Sequence, residues 1–191
     1  MPAPVKISRE AILAAGLELA RSRGLEGLNA RALAMALGCS TQPIFKNFAS
    51  MEALREAVLA EAHRRYREKL AAEMAASPYP PYKASGMAYI AFARTEPQLF
   101  RLLFMRNRQG PEEGPETADW QPDTALAGRS AGLSPEEAQL FHLEMWAVVH
   151  GLAVMQATGY LRLEEETLSR LLTDAFQGVK SRWEEKARER H

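Results

Sequence analysis

The sequence predicts an all-α protein of about nine helices, with a three-helix domain at the N-terminus and a larger helical domain after it. Apolar residues recur every three or four positions along most of the chain, which is the spacing of a helix with one buried face. Alternating apolar and polar runs bounded by turn residues, which would indicate strands, are absent from the sequence. A chain of 191 residues that is 47% hydrophobic can form one good core, or a small domain attached to a larger one.

The first three helices are short, and turn residues separate them. Ser8 is a good N-cap for the first helix, and Gly24 supplies its C-terminal stop. A second helix begins after Asn29, another good N-cap, and ends at Gly38. We expect Ser40 to cap a third helix that is equally short.

A long fourth helix follows Ser50, which is its expected N-cap. Residues 77–81 end this helix, because proline lacks a backbone N–H and forces extended geometry on the residue before it. This segment is the clearest boundary signal in the chain. We assign residues 1–50 to the N-terminal domain, and residues 51–191, which begin with the long connecting helix, to the second domain. The apolar face of the long helix consists of Leu54, Val58, Ala62, Tyr66, Leu70 and Met74.

The second domain is predicted to contain five further helices. The first runs over about residues 82–93, and the second has Pro97 in its first turn. Residues 107–119 contain glycine, proline and several acids, which predicts a solvated loop. A short helix is expected to begin near Pro122.

The last two helices are apolar on more than one side. Ser134, Pro135 and Glu137 form the clearest helix start in the chain, and this helix is expected to end near Thr158. The final helix follows Leu163. We expect both helices to bury one side in their own subunit and another against a second copy, although burial of both sides in a monomeric core remains an alternative. The first of them carries Leu140, Leu143, Ala147, Gly151 and Val154 on one side, and Phe141, Met145, Val148, Leu152 and Met155 on another.

Charge and cysteine content limit the class of protein. The net charge is zero, yet residues 1–70 hold eleven Lys and Arg against seven Asp and Glu, which suits phosphate contact at one end of the molecule. The single cysteine, Cys39, excludes an internal disulfide framework and a multi-thiolate metal site. No window has the roughly 18 apolar residues of a membrane span, and the N-terminus lacks a secretion signal, so we expect a cytoplasmic protein without membrane contact.

Residues 29–48 have the pattern of a helix-turn-helix motif. Gly38 can adopt the positive φ that the turn needs, and Cys39 supplies the small buried residue expected after it. The second helix then presents polar groups to the base edges of a major groove. Many folds contain a short helix pair with a glycine turn, so a purely structural role also remains open. The expected apolar anchors of the motif are Leu33, Ala34, Ile44 and Phe48.

Residues 8–60 closely resemble the DNA-binding domain of the TetR family of regulators. The resemblance is carried by residues 15–19, 28–34, 37–48 and 50–54, together with Gly24. Further along, residues 92–104 and 146–152 are similar to a ligand-domain subgroup of that family with a Trp…His-Gly signature. The resemblance implies a homodimer with an N-terminal reading head, and a C-terminal pocket whose occupancy moves the two heads apart.

The resemblance also implies a set of DNA contacts. Gln42 is the most informative of them, because its amide can pair bidentately with adenine, a contact worth about 1–3 kcal/mol of discrimination. Arg31 is implied in contact with a base or a phosphate. Simple exposure to solvent is the alternative for these polar side chains. The whole expected set is Arg31, Thr41, Gln42, Pro43, Phe45, Lys46 and Asn47.

Three positions depart from the family pattern. Phe45 replaces a tyrosine that usually meets the DNA backbone, Asn47 replaces a histidine, and Met51 replaces a lysine. Phe45 cannot donate a hydrogen bond. These departures put individual phosphate contacts in doubt, and Lys46 can restore some of the lost charge.

The sensing site is expected to be an apolar pocket between helices of the second domain. His150 can donate a hydrogen bond to a ligand, although a bond to a neighbouring carbonyl is the favoured alternative. About half of the pocket candidates are expected to be core residues. His63, His142 and His191 lack the spacing of a metal site, so no metal or cofactor is expected. The candidates are Phe92, Phe100, Phe104, Met105, Trp120, Met145, Trp146 and His150.

We therefore expect a ligand-responsive transcription regulator, most simply a repressor released by a small apolar or aromatic effector. Its expected partners are double-stranded operator DNA, a second copy bound through the last two helices, and the effector. One alternative is a helical enzyme or cofactor carrier, but the sequence has no phosphate-binding glycine loop and no nucleophile motif. Another is a protein–protein adaptor. Oxidation of Cys39 would disrupt the turn of the helix pair, so a redox switch is one interpretation of this residue. Because we expect Cys39 to be buried, inert packing is the favoured alternative.

Overall fold

The computed structural model describes residues 7–105 and 121–189, and the predicted all-α fold is confirmed over these ranges. They contain nine α-helices, one 3₁₀ turn at Leu25–Gly27 and no strand. The helices are α1 (Arg9–Arg23), α2 (Ala30–Ala36), α3 (Gln42–Asn47), α4 (Met51–Ala76), α5 (Pro81–Thr95), α6 (Pro97–Phe104), α7 (Gln121–Ala131), α8 (Pro135–Thr158) and α9 (Glu165–Glu189).

Most helix ends lie at the capping residues that the sequence predicted. The side chains of Ser8 and Asn29 each accept a hydrogen bond from a backbone N–H in the first turn of their helix. Gly24 ends α1 with φ at 72°. At the start of α8, Ser134 and Glu137 cap each other's backbone N–H groups, which confirms the predicted capping box.

The start of α3 differs from the prediction. Its N-cap is Thr41, without a side-chain cap hydrogen bond, so the expectation that Ser40 caps this helix is wrong. The reason is local. An N-cap oxygen bonds the second or third N–H of the helix. The second residue here is Pro43, which has no N–H, and the N–H of Ile44 is taken by the Thr41 carbonyl at 3.1 Å.

The chain folds as two compact units. Within the described residues, the first comprises 7–68 and 98–105, and the second comprises 69–97 and 121–189. In the first unit, α1 packs against α2 and α3. Helices α1 and α4 approach closely, since a Cβ added to Gly16 would lie 2.9 Å from Val58 Cγ2. Any side chain at position 16 would therefore push the two helices apart or displace Val58.

In the second unit, α8 packs against α5, α7 and α9. An aromatic cluster lies at the centre of this packing and includes Tyr82, Phe141 and Trp183, all of them buried. The ring centroids of Phe141 and Phe176 are 5.5 Å apart with their planes at 79°, an edge-to-face contact. This cluster therefore links α5, α8 and α9 through one core.

A buried polar pair lies beside this cluster. The hydroxyl of Tyr82 is 3.0 Å from Nδ1 of His142, and both side chains are buried. Burial lowers the pKa of His142 below its usual value of 6.5, because the charged imidazolium loses its hydration. Burial also raises the pKa of the nearby Asp123 carboxyl. The neutral form of the histidine is the one that fits this site.

His142 is expected to make the second unit less stable as the pH falls below 6.5. The unfolded chain then takes up a proton that the folded chain does not, so the free energy of unfolding falls with a slope of up to about 1.4 kcal/mol per pH unit. Urea unfolding between pH 7.5 and 5 measures this slope. In His142→Gln the slope should be smaller by this amount, and equal slopes in the two proteins would contradict the prediction.

Candidate functional site

Helix α3 is held in place by its apolar side. Ile44 is fully buried and Phe48 is almost so, and on α2 Leu33 and Ala34 are buried as well. These are the four anchors expected for a helix-turn-helix. Since one side of α3 is fixed in the core, its opposite side must face outward.

The turn between α2 and α3 agrees with the sequence in one respect and differs in another. Gly38 has φ at 62°, the left-handed conformation that was predicted. Cys39 is only half-buried, so the expectation that it is fully buried is wrong. The turn lies at the surface, because Gly38 and Ser40 on either side of it are exposed. The backbone N–H of Cys39 donates a hydrogen bond to the Ala34 carbonyl at 3.0 Å, which ties the turn to the end of α2.

The outward side of α3 carries three exposed residues, Gln42, Phe45 and Lys46. They are spaced by three and four positions, so they share one face of the helix. Thr41 and Pro43 are partly exposed beside them. On α2, Arg31 is exposed. These are six of the seven predicted DNA contacts, all of them exposed or partly exposed, and their contact with DNA stays a prediction.

Asn47 is the seventh, and its side chain already has a partner. Its Nδ2 donates a hydrogen bond to the Pro43 carbonyl at 2.8 Å, and the side chain is partly buried. This bond ties the last residue of α3 to its own first turn. The bond uses one of the two N–H groups of Nδ2, so a contact of the Asn47 side chain with DNA would use the other N–H or Oδ1.

Arg9 is a structural contributor that the sequence analysis missed. Its Nη1 donates to the Asn47 backbone carbonyl at 2.8 Å, and its guanidinium lies 4.1 Å from the centre of the Phe48 ring. The cation–π contact and the hydrogen bond join the start of α1 to the end of α3. No local pattern could reveal this contact, because the residues are 38 and 39 positions apart in the sequence.

The second unit brings together part of the predicted ligand set. The rings of Trp146 and His150 stack with centroids 4.6 Å apart, and Nδ1 of His150 is 3.0 Å from the Tyr89 hydroxyl. Burial lowers the pKa of His150, which favours the neutral ring. By contrast, Met145 and Phe92 are buried, and Met145 belongs to the aromatic core cluster. The partly exposed members are thus Trp146 and His150.

Three other ligand candidates belong to the first unit. Phe100 is fully buried and contacts Phe104, whose ring also meets Tyr66 edge-on at 5.1 Å. Met105 is exposed. Trp120 lies outside the described residues. The predicted set is therefore divided between the two units, and its role in ligand binding stays a prediction.

An open cleft of about 260 Å³ lies in the second unit, and the sequence analysis did not anticipate it. It is formed by the end of α4, residues 77–79, α5 and the start of α9. The Tyr79 hydroxyl donates to the Glu165 carboxylate at 3.4 Å at this cleft. The described members of the predicted ligand set do not line it. Its charged lining residues are Glu73, Arg94 and Glu165.

Two further findings hold for residues 7–105 and 121–189. Within these ranges, no three His, Cys, Asp or Glu side chains are placed to share a metal ion. Each helix described there is too short or too polar to cross a bilayer.

Two family models match the chain. The model of bacterial regulatory proteins of the tetR family matches residues 12–58, the segment that contains the helix pair. The model of the tetracyclin repressor-like C-terminal domain matches residues 82–177, half of the chain. The chain belongs to the TetR family. It is therefore a transcription regulator with an N-terminal DNA-binding domain and a C-terminal ligand-binding domain, and the predicted family and regulatory class are confirmed.

Solved structures agree with this assignment at the level of the fold. A TetR-like transcriptional regulator from Rhodococcus sp. RHA1 is 16% identical, with 92% of this chain and 96% of that chain covered and a TM-score of 0.67. A TetR variant from Acinetobacter baumannii AYE in complex with minocycline is 17% identical, with coverages of 94% and 98% and a TM-score of 0.54. The multidrug binding protein EbrR, complexed with imidazole, is 16% identical, with coverages of 91% and 94% and a TM-score of 0.55. No curated protein matches the chain significantly.

Family membership also bears on the alternatives. Regulators of this family are transcription factors rather than enzymes, so the enzyme alternative is set aside.

Proposed function

We propose that this regulator is a cytoplasmic repressor that binds a two-fold symmetric operator as a homodimer and is released by a small apolar or aromatic effector. The observation that carries the proposal is the orientation of α3. Its buried side leaves Gln42 and Lys46 exposed together on the outward face. In this proposal residues 1–50 are the DNA-binding domain and residues 51–191 bind the effector and the second copy.

Each exposed residue of the proposed DNA-binding domain has a proposed role in DNA binding. Gln42 pairs with a base edge, while Lys46 and Arg31 neutralise phosphates. Thr41 and Pro43, which are partly exposed, line the same face. Asn47 acts through the hydrogen bond that closes α3 on its own first turn. Its Nδ2 carries a second N–H and its Oδ1 is an acceptor, so either group can also contact DNA.

The dimer is proposed to form through α8 and α9. We define the apolar stripe as Leu140, Leu143 and Ala147, which share one side of α8 and are exposed in the single chain. Met155 of α8 and Leu171 of α9 are further exposed apolar residues of these two helices. A large exposed apolar surface on a globular protein usually marks an interaction site. A Cβ added to Gly151 would meet no atom within 4 Å, so the space beside the stripe is open to a close partner. A second copy covers both stripes at once, because a two-fold contact pairs each surface with itself.

The effector is proposed to bind near the stacked pair of Trp146 and His150 in the second unit. An aromatic ring can pack against that stack. The similarity of the fold to a multidrug binding protein and to a minocycline complex supports a small organic effector. The other predicted ligand residues remain candidates for the same role.

The proposed mechanism is a population shift. The effector binds more tightly to a dimer whose two heads no longer match successive major grooves, about 34 Å apart, and the affinity for DNA falls as a result. Selection of bound sequences from random DNA by the full chain tests the proposal as a whole. A two-fold symmetric site is the expected product, and failure to enrich any sequence would overturn the proposal.

Substitutions of Gln42 and Lys46 are expected to have different effects. Gln42→Ala should weaken binding to the selected operator by about tenfold to 100-fold for each half-site and leave non-specific binding unchanged, since it removes one base contact per subunit. Lys46→Ala should weaken binding to all DNA and lower the salt slope by about 1 per subunit. Gel-shift titrations on operator and scrambled DNA at several salt concentrations separate the two. Identical behaviour of both variants would contradict these roles.

A further inference from the structure

The side chain of Phe45 lies on the proposed DNA-facing side of α3 and is 48% exposed. Two other apolar side chains nearby, Ile44 and Phe48, are buried and form the anchor of the helix. Phe45 is therefore not needed for that anchor. The ring lies next to Gln42 and Lys46, so it would touch whatever that face of α3 binds.

A major groove offers one apolar group to such a ring. Base edges carry hydrogen-bond donors and acceptors, with the exception of the C5 methyl group of thymine. Phosphates require hydrogen-bond donors or positive charge, and the Phe45 ring has neither. We propose that Phe45 recognises a thymine in the operator by packing its ring on the thymine C5 methyl group. This inference rests on the proposed entry of α3 into a major groove.

The contacts around α3 hold the backbone that carries Phe45 in one position. The buried Ile44 fixes the rotation of the helix about its axis. The hydrogen bond from the Asn47 side chain to the Pro43 carbonyl connects the last turn of α3 to its first. Arg9 holds the C-terminal end through the Asn47 carbonyl. A ring whose support is rigid can discriminate a single methyl group, because displacement by a fraction of an ångström already loses much of the contact.

The position of Phe45 relative to Gln42 also predicts where the thymine lies. The two residues are one turn apart, a separation of about 4.5 Å along the helix axis. Successive base pairs are about 3.4 Å apart. The thymine should therefore lie one or two base pairs from the base that Gln42 contacts, once in each half-site.

Deoxyuridine in place of thymidine tests the proposal, because it removes the methyl group and keeps the base pairing. The full chain is used first to select its operator from random DNA, and each thymidine of the symmetric site is then replaced in turn, in both half-sites together. We expect one replacement to weaken binding about fourfold per methyl group, or about 15-fold for the two half-sites. Phe45→Ala should bind thymidine and deoxyuridine duplexes equally.

Met35→Ala is the matched control, because Met35 is an apolar side chain of α2 that is even more exposed than Phe45. This variant should keep the full preference for thymidine. The circular dichroism melt of Phe45→Ala should match that of the original chain, since the ring is not part of the core. If every deoxyuridine duplex binds as well as its thymidine counterpart, or if Phe45→Ala keeps the preference, the inference is overturned while DNA binding itself stands. Failure to enrich any operator overturns both.

Discussion

Leu143→Arg is expected to convert the regulator from a dimer to a monomer and to weaken operator binding by about 10²–10⁴-fold. Leu143 is exposed in the middle of the apolar stripe on α8. In a two-fold contact the guanidinium of each subunit would be buried close to that of the other subunit. Each would lose its hydration and meet a like charge, which opposes association. The two reading heads would then bind their half-sites independently, without the high effective concentration that the dimer provides. Light scattering measures the mass, and gel shifts measure the affinity.

The control for this prediction is Ser130→Arg, which places the same charge on an exposed position of α7, a helix that contributes no residue to the stripe. It should remain dimeric and bind the operator normally. A dimeric Leu143→Arg protein with unchanged affinity would show that the interface lies elsewhere. A monomeric original chain would favour the alternative in which α8 and α9 bury their apolar sides within one subunit or against a different protein.

The helix ends could be predicted because capping is a local effect. Ser134 and Glu137 are three residues apart, and the capping box that they form depends on little else in the molecule. The same logic failed at α3, where Pro43 removes the N–H that a cap would bond. Pro43 is the third residue after Ser40 and the second after Thr41, so it removes one of the two N–H groups that a side-chain cap at either position would bond.

The candidate DNA-facing side was predictable from spacing, whereas its support was not. Gln42 and Lys46 share a face by the period of the helix, and the buried Ile44 could be assigned to the opposite side in the same way. Arg9 supports α3 from 38 residues away, a distance in sequence at which no periodic pattern applies. Contacts of this kind depend on how the helices pack, and helix packing cannot be inferred from residue spacing in a single sequence.

The ligand residues were the hardest to predict, because a pocket and a core use the same side chains. Met145 and Trp146 are adjacent apolar residues of α8, yet Met145 is buried in the core cluster and Trp146 is partly exposed and stacks on His150. Hydrophobicity cannot distinguish them. Their difference arises from the direction in which each points on a helix that is apolar nearly all round.

Phe141→Ala is expected to lower the free energy of unfolding of the second unit by about 3–5 kcal/mol. Phe141 is fully buried, and its ring meets those of Tyr82 and Phe176, with centroids 6.4 and 5.5 Å away. Removal of the ring leaves a cavity between α5, α8 and α9, and the lost contacts cannot be regained unless three helices shift together. This loss is a large part of the roughly 5–15 kcal/mol that stabilises a typical domain. Urea unfolding followed by circular dichroism measures it.

Tyr160→Ala is the matched control, since Tyr160 is an aromatic residue that is 83% exposed just beyond α8. Its free energy of unfolding should change by less than about 0.5 kcal/mol. Both variants have to be compared at one protein concentration, because unfolding of a dimer depends on concentration. If Phe141→Ala is no less stable than Tyr160→Ala, then the aromatic cluster is not the main source of stability in the second unit, and the positions of α8 and α9 must depend on the contact between the two subunits.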